Sequence, residues 1–242
     1  MIDNLRAAIR LTLILGWLGI ALVFHGLWRL VRAPSPWPRF FLGGVARLFG
    51  ARPRFHGTPL RRDVVFLSNH VSWLDILLIG GRSGSAFVAK AELATAPIVG
   101  WLCTLNRTIF VNRGDRMGVA AQVEELRAAM REAWAVTIFP EGTTSGAATM
   151  LPFKATLLAA IDPPPPGLRI QPIWIDYGPA REELAWTVES GQDNGLRILR
   201  RPGRFAVGLT FLGPFDPAGM DRKAIAAEAR ARIAAASGRP VA

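Results

Sequence analysis

Two short polar segments, each placed directly after an apolar run, carry the residue types best suited to chemistry. In the first, the apolar run Val64–Leu67 leads into Asn69 and His70, and Asp75 follows five residues after the histidine. If His70 precedes the first turn of a helix starting near Ser72, its imidazole and the Asp75 carboxylate can converge. A carboxylate holds an imidazole in one tautomer and stabilises its protonated form, so such a pair can remove a proton from a hydroxyl. The spacing Ser72-x-x-Asp75 also fits a helix capping box, and the residues alone leave both interpretations open.

The second segment follows the apolar run Val136–Phe139 and reads Pro140-Glu141-Gly142-Thr143-Thr144-Ser145. Proline, glycine and three hydroxyl side chains after a strand predict a tight polar turn with a carboxylate at its apex. An ordinary surface turn with a solvated Glu141 fits the same letters. Both segments therefore predict candidate site residues at strand ends, where loops held by a rigid scaffold often carry catalytic groups.

The elements that must position these segments alternate between two kinds. Short apolar, β-branched runs predict strands, and between several of them the sequence has helical periodicity, clearest at Asp115–Ala133 and Arg222–Ala236. Strands alternating with helices predict an α/β domain with a mixed, mainly parallel sheet and flanking helices. We interpret Pro163–Pro166 as a stiff loop within that domain. The predicted strands are Val64–Leu67, Ala86–Ala89, Thr108–Val111, Val136–Phe139, Ile170–Ile175 and Phe205–Leu212.

The N-terminal part of the chain has a different character. No charged residue occurs from Leu11 to Trp28, a run that is borderline for a membrane span of about 20 residues, and a second apolar stretch, Phe40–Phe49, follows a proline-rich turn. No convincing small-residue cleavage site of a signal peptide precedes Arg29. A hairpin dipped into one leaflet and a single span both fit. Either arrangement predicts a membrane-anchoring helical segment over residues 1–50 and a catalytic domain over residues 51–242.

The charge balance supports a membrane as the partner. The formal net charge is +11, and residues 1–62 hold ten arginines against the single acid Asp3. Such a surplus indicates an anionic partner, and a compositional preference of the genome for arginine is the alternative. The location of the charge favours the first interpretation, because basic residues that flank an apolar helix are typical of the cytoplasmic side of a membrane. The sequence has no helix-turn-helix, RNP or zinc-finger pattern, so we expect no nucleic acid. A single cysteine, Cys103, is expected to be a small core residue, and three scattered histidines without a CxxC or HExxH pattern predict no metal site.

Several blocks in the same order resemble the lysophosphatidate acyltransferase (1-acylglycerol-3-phosphate acyltransferase) family. The segment Asn69–Asp75 matches the NHxSxxD block of that family, and Phe139–Thr143 matches its FPEGT block. Order and spacing agree from about residue 50 to residue 176. Further matching segments are Lys90-Ala91-Glu92-Leu93 with Pro97 and Gly100, Thr108–Arg113, Pro152-Phe153-Lys154 and Gln171-Pro172-Ile173.

The resemblance implies a glycerolipid acyltransferase fold and direct acyl transfer from acyl carrier protein or coenzyme A to the hydroxyl of a lysolipid. It implies that His70 is the general base and that Asp75 orients it. It places Lys90 and Arg113 at an anionic head group, and Glu141 with Gly142 at the glycerol part. The remaining substrate-binding residues that it implies are Asn69, Thr143 and Lys154. No cofactor is expected beyond the thioester co-substrate, and the expected location is the cytoplasmic face of the inner membrane, among membrane lipids.

Two departures from the family pattern concern the acceptor. Thr144 stands where the family usually has arginine, and Ala155-Thr156 stand where it usually has lysine and glycine. Loss of a charge-assisted hydrogen bond weakens phosphate binding by about 1.5–3 kcal/mol. The preferred acceptor is 1-acylglycerol-3-phosphate, and another lysolipid such as lyso-ornithine lipid is the alternative. A membrane-tethered lipid-binding protein without activity also stays open.

The stretch Ala94–Leu105 allows two interpretations. It could line an acyl channel, but a helix of the core is the preferred interpretation.

Overall fold

A mixed sheet of seven strands lies at the centre of the described structure. The computed structural model describes residues 1–111, 123–124, 127–128, 135–146 and 150–238. The strand order is β1-β7-β6-β2-β5-β3-β4, and every neighbouring pair is parallel except β6 with β7, which is antiparallel. The strands are β1 (Ala51–His56), β2 (Val64–Ser68), β3 (Ala86–Lys90), β4 (Ile109–Val111), β5 (Ala135–Ile138), β6 (Arg169–Asp176) and β7 (Phe205–Phe211).

Helices cover both faces of this sheet. The α-helices in the described part are α1 (Ile2–Leu30), α2 (Trp37–Leu48), α3 (Leu74–Ser83), α4 (Pro97–Leu105), α5 (Arg181–Leu184), α6 (Gly191–Arg200) and α7 (Arg222–Ser237). Short 3₁₀ helices span Ala91–Thr95, Ala155–Ile161 and Gly178–Ala180.

The fully buried strand β2 shows how the layers form. Side chains alternate between the faces of a strand, so Val64 and Phe66 point to one face while Val65 and Leu67 point to the other. The first pair packs in a core with α2, α3 and α6, and the second pair packs in a core with the 3₁₀ helix Ala155–Ile161 and with α7. Burial on both faces explains why β2 is a continuous apolar run.

All six predicted strands are present, with bounds within one residue, and the predicted α/β class is confirmed. The predicted helix Arg222–Ala236 is also present. The predicted helix Asp115–Ala133 falls mostly outside the described residues, and residues 123–124 and 127–128 within it are helical. Residues Pro163–Pro166 connect a 3₁₀ helix to β6, as expected.

The sequence analysis missed strand β1. This strand contains Pro53 and two arginines, and its last three residues are exposed. Proline cannot donate a ladder hydrogen bond and is tolerated at the edge of a sheet, which is where β1 lies beside β7. An edge strand without an apolar pattern carries no signal that separates it from a loop.

Candidate active site

The site is built where neighbouring parallel strands end. Strand β2 lies between β5 and β6 and is parallel to both. The carboxyl ends of these three strands therefore meet at the same edge of the sheet, and this edge is the usual location of ligand sites in open α/β sheets. Strand β3, next to β5, ends there as well. The loop after β2 begins with Asn69 and His70, the loop after β5 carries Glu141, β3 ends at Lys90, and Tyr177 follows β6.

The predicted contact between His70 and Asp75 is present. Imidazole Nδ1 donates to Asp75 Oδ2 over 2.8 Å, and the same oxygen accepts the backbone N–H groups of Val71 at 2.7 Å and Ser72 at 3.0 Å. The hydroxyl of Tyr177 donates to Asp75 Oδ1 over 2.6 Å. Asp75 is fully buried, and four donors surround its carboxylate. Asp75 lies in the first turn of α3 and accepts the N–H of Ser72, two residues before that helix, which is the reach-back contact of a capping box, so both interpretations of the spacing hold.

The His70 ring is held from a second direction. It stacks on Phe139, the residue after β5, with ring centroids 3.9 Å apart and planes 16° from parallel. The ring lines a large cavity, and its side chain is 14% exposed. Since Nδ1 donates to Asp75, Nε2 is the ring nitrogen that can accept a proton from a substrate.

Glu141 fixes the backbone that carries His70. Its Oε1 accepts the His70 N–H over 2.7 Å, and its Oε2 accepts the Leu151 N–H over 2.8 Å. The carbonyl of His70 accepts from the N–H of Ser145 at 2.7 Å and from its hydroxyl at 3.0 Å. Burial raises the pKa of Glu141 to about 7, against the lowering effect of these backbone donors. The interpretation of Glu141 as a solvated turn residue is therefore wrong, because its side chain is fully buried.

Asn69 also fixes the backbone next to His70. Its side-chain amide donates to the Ile175 carbonyl over 3.0 Å and accepts the Ile175 N–H over 2.8 Å, which joins the end of β2 to β6. The resemblance implied that Asn69 and Glu141 contact the substrate. In the structure both side chains are buried, bond to the protein backbone and stand behind the cavity wall, so the position of His70 depends on them.

The other predicted substrate-binding residues lie on the cavity wall. Lys90, Gly142, Thr143 and Lys154 all line it. Gly142 has φ +75°, and a Cβ there would lie 3.3 Å from Lys154 Nζ, so glycine suits both the turn and the approach of the ammonium group. The predicted residue Arg113 lies outside the described residues.

Thr144 stands at the position where the family usually has arginine, and its hydroxyl is bonded to the protein backbone. Its hydroxyl donates to the Trp186 carbonyl over 2.5 Å, and its side chain also lines the cavity. No cation thus stands at this position of the wall.

The cavity has a volume of ≈ 1370 Å³, above the roughly 300–1,000 Å³ of common small-ligand pockets. Its wall runs from His70 along the inner sides of α1, α2 and α3 and along α4, and it is mainly apolar. Representative apolar lining residues are Leu18, Phe41, Leu77, Val99, Leu102 and Leu157.

Two predictions about this wall need correction. Helix α4 is not a core helix, because Ile98, Val99 and Trp101 are 45–68% exposed and only Gly100 is buried among its residues of described burial. Its inward side lines the cavity instead. Cys103 on α4 is half-buried at this wall and not in the core, and burial raises the pKa of its thiol.

The sequence analysis missed Tyr177. The residue lies 102 positions after Asp75, so no local spacing connects the two. The available signal was its place directly after a predicted strand, at the same sheet edge as the two polar segments. Among the residues that the structure describes, no group of three or more histidine, cysteine or acidic side chains could hold a metal ion.

A histidine–aspartate pair that opens onto a wide apolar cavity at a strand edge has the geometry to take a proton from a hydroxyl of an apolar substrate. The family profile described as Acyltransferase matches residues 52–176, and the chain belongs to this acyltransferase family. It is an O-acyltransferase of lysolipids, as its relatives are named.

The relatives include enzymes that are named for different lysolipid acceptors. A lyso-ornithine lipid O-acyltransferase of Brucella abortus is 33% identical over 218 residues, which is 82% of this chain and 80% of the relative. A 1-acyl-sn-glycerol-3-phosphate acyltransferase of Neisseria gonorrhoeae is 36% identical over 100 residues, 41% of this chain and 39% of the relative. The crystal structure of the 1-acyl-sn-glycerophosphate (LPA) acyltransferase PlsC from Thermotoga maritima shares the fold, with a TM-score of 0.61, 24% identity, and coverage of 98% of this chain and 100% of that chain.

Proposed function

We propose that this enzyme transfers a fatty acyl group from the thioester of acyl carrier protein or coenzyme A to the free hydroxyl of a lysolipid, with His70 as the general base. The observation that carries the proposal is the bond from His70 Nδ1 to the buried Asp75, with the ring at the wall of an apolar cavity. A base in this position contributes typically about 10²–10⁴-fold to the rate.

The geometry supports a direct transfer. The acceptor hydroxyl oxygen attacks the thioester carbonyl carbon while His70 Nε2 takes the hydroxyl proton, and a new C–O bond forms. Asp75 stabilises the imidazolium at Nδ1. The tetrahedral intermediate then loses the sulfur, the C–S bond breaks, and His70 returns the proton to the thiolate. The products are the diacyl lipid and the free thiol.

The acceptor that we propose first is lyso-ornithine lipid. Its head group carries one carboxylate and one ammonium group, whereas lysophosphatidate carries a phosphate monoester with up to two negative charges. A phosphate site needs several cations, and the Thr144 hydroxyl, bonded to a carbonyl, replaces one of them. Lys90 and Lys154 on the wall are sufficient for one carboxylate.

The relatives support the same order. The B. abortus lyso-ornithine lipid enzyme aligns with 82% of this chain, whereas the N. gonorrhoeae lysophosphatidate enzyme aligns with 41%. Lysophosphatidate, the acceptor preferred from the sequence, is the second candidate, supported by the FPEGT block and the two lysines at the wall.

The N-terminal helices support membrane association. Helix α1 has 29 residues and mean hydropathy 2.1 in its most apolar window, so it could span a membrane by length and composition. However, it stays against the protein along its length. Arg10 donates to the carbonyls of Leu199 at 3.0 Å and Arg201 at 2.9 Å, Trp17 Nε1 donates to the Phe41 carbonyl, and Phe24 stacks on Trp37.

These contacts favour a hairpin that lies in one leaflet over a single span, because a spanning helix would have to leave the domain. Helix α2 is also part of the domain, since its residues Val45 and Ala46, and Phe49 directly after it, belong to the same core as β2. We propose that α1 and α2 bind the cytoplasmic face of the inner membrane and place the cavity at the lipid surface. The boundary at residue 50 remains a prediction.

A panel assay with purified protein tests the proposal. Lyso-ornithine lipid, lysophosphatidate and lysophosphatidylglycerol are each offered with acyl carrier protein and coenzyme A thioesters. We expect the highest kcat/KM with lyso-ornithine lipid, and we expect His70→Ala to abolish transfer while the protein stays folded and bound to vesicles. The matched control is His56→Ala, at an exposed histidine of β1, which should keep full activity.

Unchanged turnover in His70→Ala would contradict the mechanism. Vesicle binding without transfer to any acceptor would instead support the lipid-binding alternative.

A further inference from the structure

Tyr177 is the only tyrosine in the chain and is one of its largest fully buried side chains. It follows β6, and its ring lies 6.1 Å from the ring of Phe205 in the core. Its hydroxyl is the donor to Asp75 Oδ1, the carboxylate oxygen that His70 does not use. Tyr177 does not line the cavity. A polar atom at the centre of a core is costly unless it is bonded, so this contact fixes the phenol in place.

The phenol remains a neutral donor in this setting. Burial, and then the negative charge of Asp75, raise the pKa of Tyr177 well above its ordinary value. The other ionisable groups close to this pair are His70, Glu141 and Arg181. Glu141 adds negative charge near Asp75 only when it is ionised, above about pH 7, and Arg181 favours the ionised forms of both Tyr177 and Glu141. Within the working pH range of an enzyme, Tyr177 therefore donates a proton to the hydrogen bond and does not ionise.

We propose that Tyr177 is a positioning residue for the reaction: its hydroxyl, bonded to Asp75, sets how strongly that carboxylate holds His70 in its proton-accepting state. The inference rests on the proposed role of His70 as the base. A hydrogen bond to one carboxylate oxygen draws electron density from the other, so the donor strength of the phenol tunes the attraction of Asp75 for the imidazolium. It also stops the carboxylate from rotating, because both of its oxygens have fixed donors.

The first test removes the hydroxyl. In Tyr177→Phe, kcat should fall about tenfold, because Asp75 Oδ1 loses its donor and the carboxylate no longer holds the imidazole in one fixed orientation. KM for the lysolipid should stay the same, since the residue does not face the cavity. The acidic limb of the pH–rate profile should move to higher pH, because the unbonded carboxylate stabilises the protonated imidazole more strongly.

The matched control is Phe205→Leu, a buried change beside the Tyr177 ring that leaves the hydroxyl in place. It should lower the melting temperature without moving the pH–rate profile. If Tyr177→Phe behaves in the same way as this control, Tyr177 is merely part of the core and the inference is overturned.

A second test retains the tyrosine hydroxyl, so it remains informative if the Tyr177→Phe variant does not fold. Because the chain has one tyrosine, growth on 3-fluorotyrosine labels this position alone. The fluorinated phenol is a stronger donor, so the acidic limb should move to lower pH, opposite to the shift in Tyr177→Phe. The ¹⁹F resonance should also shift in the Asp75→Asn variant. An unmoved pH–rate profile in the fluorinated enzyme overturns the inference.

The two proposals fail in different ways. If His70→Ala keeps its activity, the proposed base is wrong. If His70→Ala is inactive but neither tyrosine change moves the pH–rate profile, the base stands and only the role of Tyr177 is overturned.

Discussion

The His70 loop and the outer face of α1 differ in burial and in the kind of contact that their side chains make. In the loop, Asp75 and Glu141 are fully buried, and each of their carboxylate oxygens accepts from a protein donor. On the outer face of α1, Leu13, Ile20 and Leu27 follow one another at seven-residue intervals and are 48–53% exposed. Contacts in the loop are specific to single atoms, whereas the exposed stripe offers only apolar area.

This difference reflects two physical requirements. A base must be held in one orientation, and only directional bonds in a buried setting can do so. Insertion into a lipid leaflet needs apolar area and tolerates many orientations. Changes in the loop should therefore act on rate and pH dependence, and changes on the stripe should act on location.

The largest expected effect comes from charging the stripe. In Leu13→Glu with Ile20→Glu, the fraction bound to vesicles should fall by a factor on the order of 100 or more, because each substitution removes about 1.5–3 kcal/mol of apolar burial in the leaflet and introduces a charge there. Transfer to a detergent-solubilised lysolipid should continue, since neither side chain lines the cavity. Vesicle flotation and a micellar assay measure the two effects.

The control for this pair is Leu196→Glu, at a half-exposed leucine of α6, which should remain bound to vesicles. Full vesicle binding by the α1 double variant would show that the stripe is not the membrane contact.

The next prediction concerns Glu141, whose buried carboxyl group should make the unfolding free energy depend on pH. The pKa of Glu141 is raised to about 7 in the folded protein, against 4.5 for an ordinary glutamate, so the folded state binds the proton more tightly than the unfolded state. This contribution to stability is complete below about pH 4.5 and is lost as the pH rises through about 7. Between these limits the wild type should lose roughly 3 kcal/mol of unfolding free energy relative to Glu141→Gln, whose amide stays neutral.

Denaturant titrations in detergent at pH 5 and pH 8 measure this difference. Glu182→Gln, at an exposed glutamate of α5, is the control and should show no such trend. An equal gap between the wild type and Glu141→Gln at both pH values would contradict the raised pKa.

The smallest effect concerns the acceptor. Thr144→Arg should raise kcat/KM for lysophosphatidate about tenfold relative to lyso-ornithine lipid, because the new guanidinium can bind the phosphate in a bidentate manner. The control is Thr144→Val, which keeps nearly the volume of threonine and adds no charge. It measures the effect of losing the hydroxyl bond to Trp186 alone. A gain of equal size for both acceptors in Thr144→Arg would show that Thr144 does not face the head group.

Local patterns were sufficient to predict part of the molecule. Strands β2 and β5 are continuous apolar runs because both of their faces are buried, and the polar residues that follow them are visible as interruptions of those runs. The pairing of His70 with Asp75 could be expected because the two residues are only five positions apart, within reach of one turn. Strand β1 could not be predicted, because its arginines and Pro53 suit an edge with little burial.

The cavity wall shows the limit of such patterns. The sequence shows that α4 is apolar, but an apolar helix can either pack in a core or line a cavity. The residue types of Ile98, Val99 and Trp101 do not distinguish these two locations. Which side chains remain exposed depends on the helices packed around them, and that is a property of the whole fold.

The sequence by itself determined the polar segments after β2 and β5, the His70–Asp75 pair and the apolar, arginine-flanked N-terminus, because each depends on residues close together in the chain. Only the tertiary structure decided that Glu141 and Asn69 support the His70 loop from behind the wall, that Tyr177 completes the bonding of Asp75, and that α1 stays against the domain. These contacts join residues 71, 102 and 106 positions apart, or separate helices, and they form because parallel strands bring their ends to one edge.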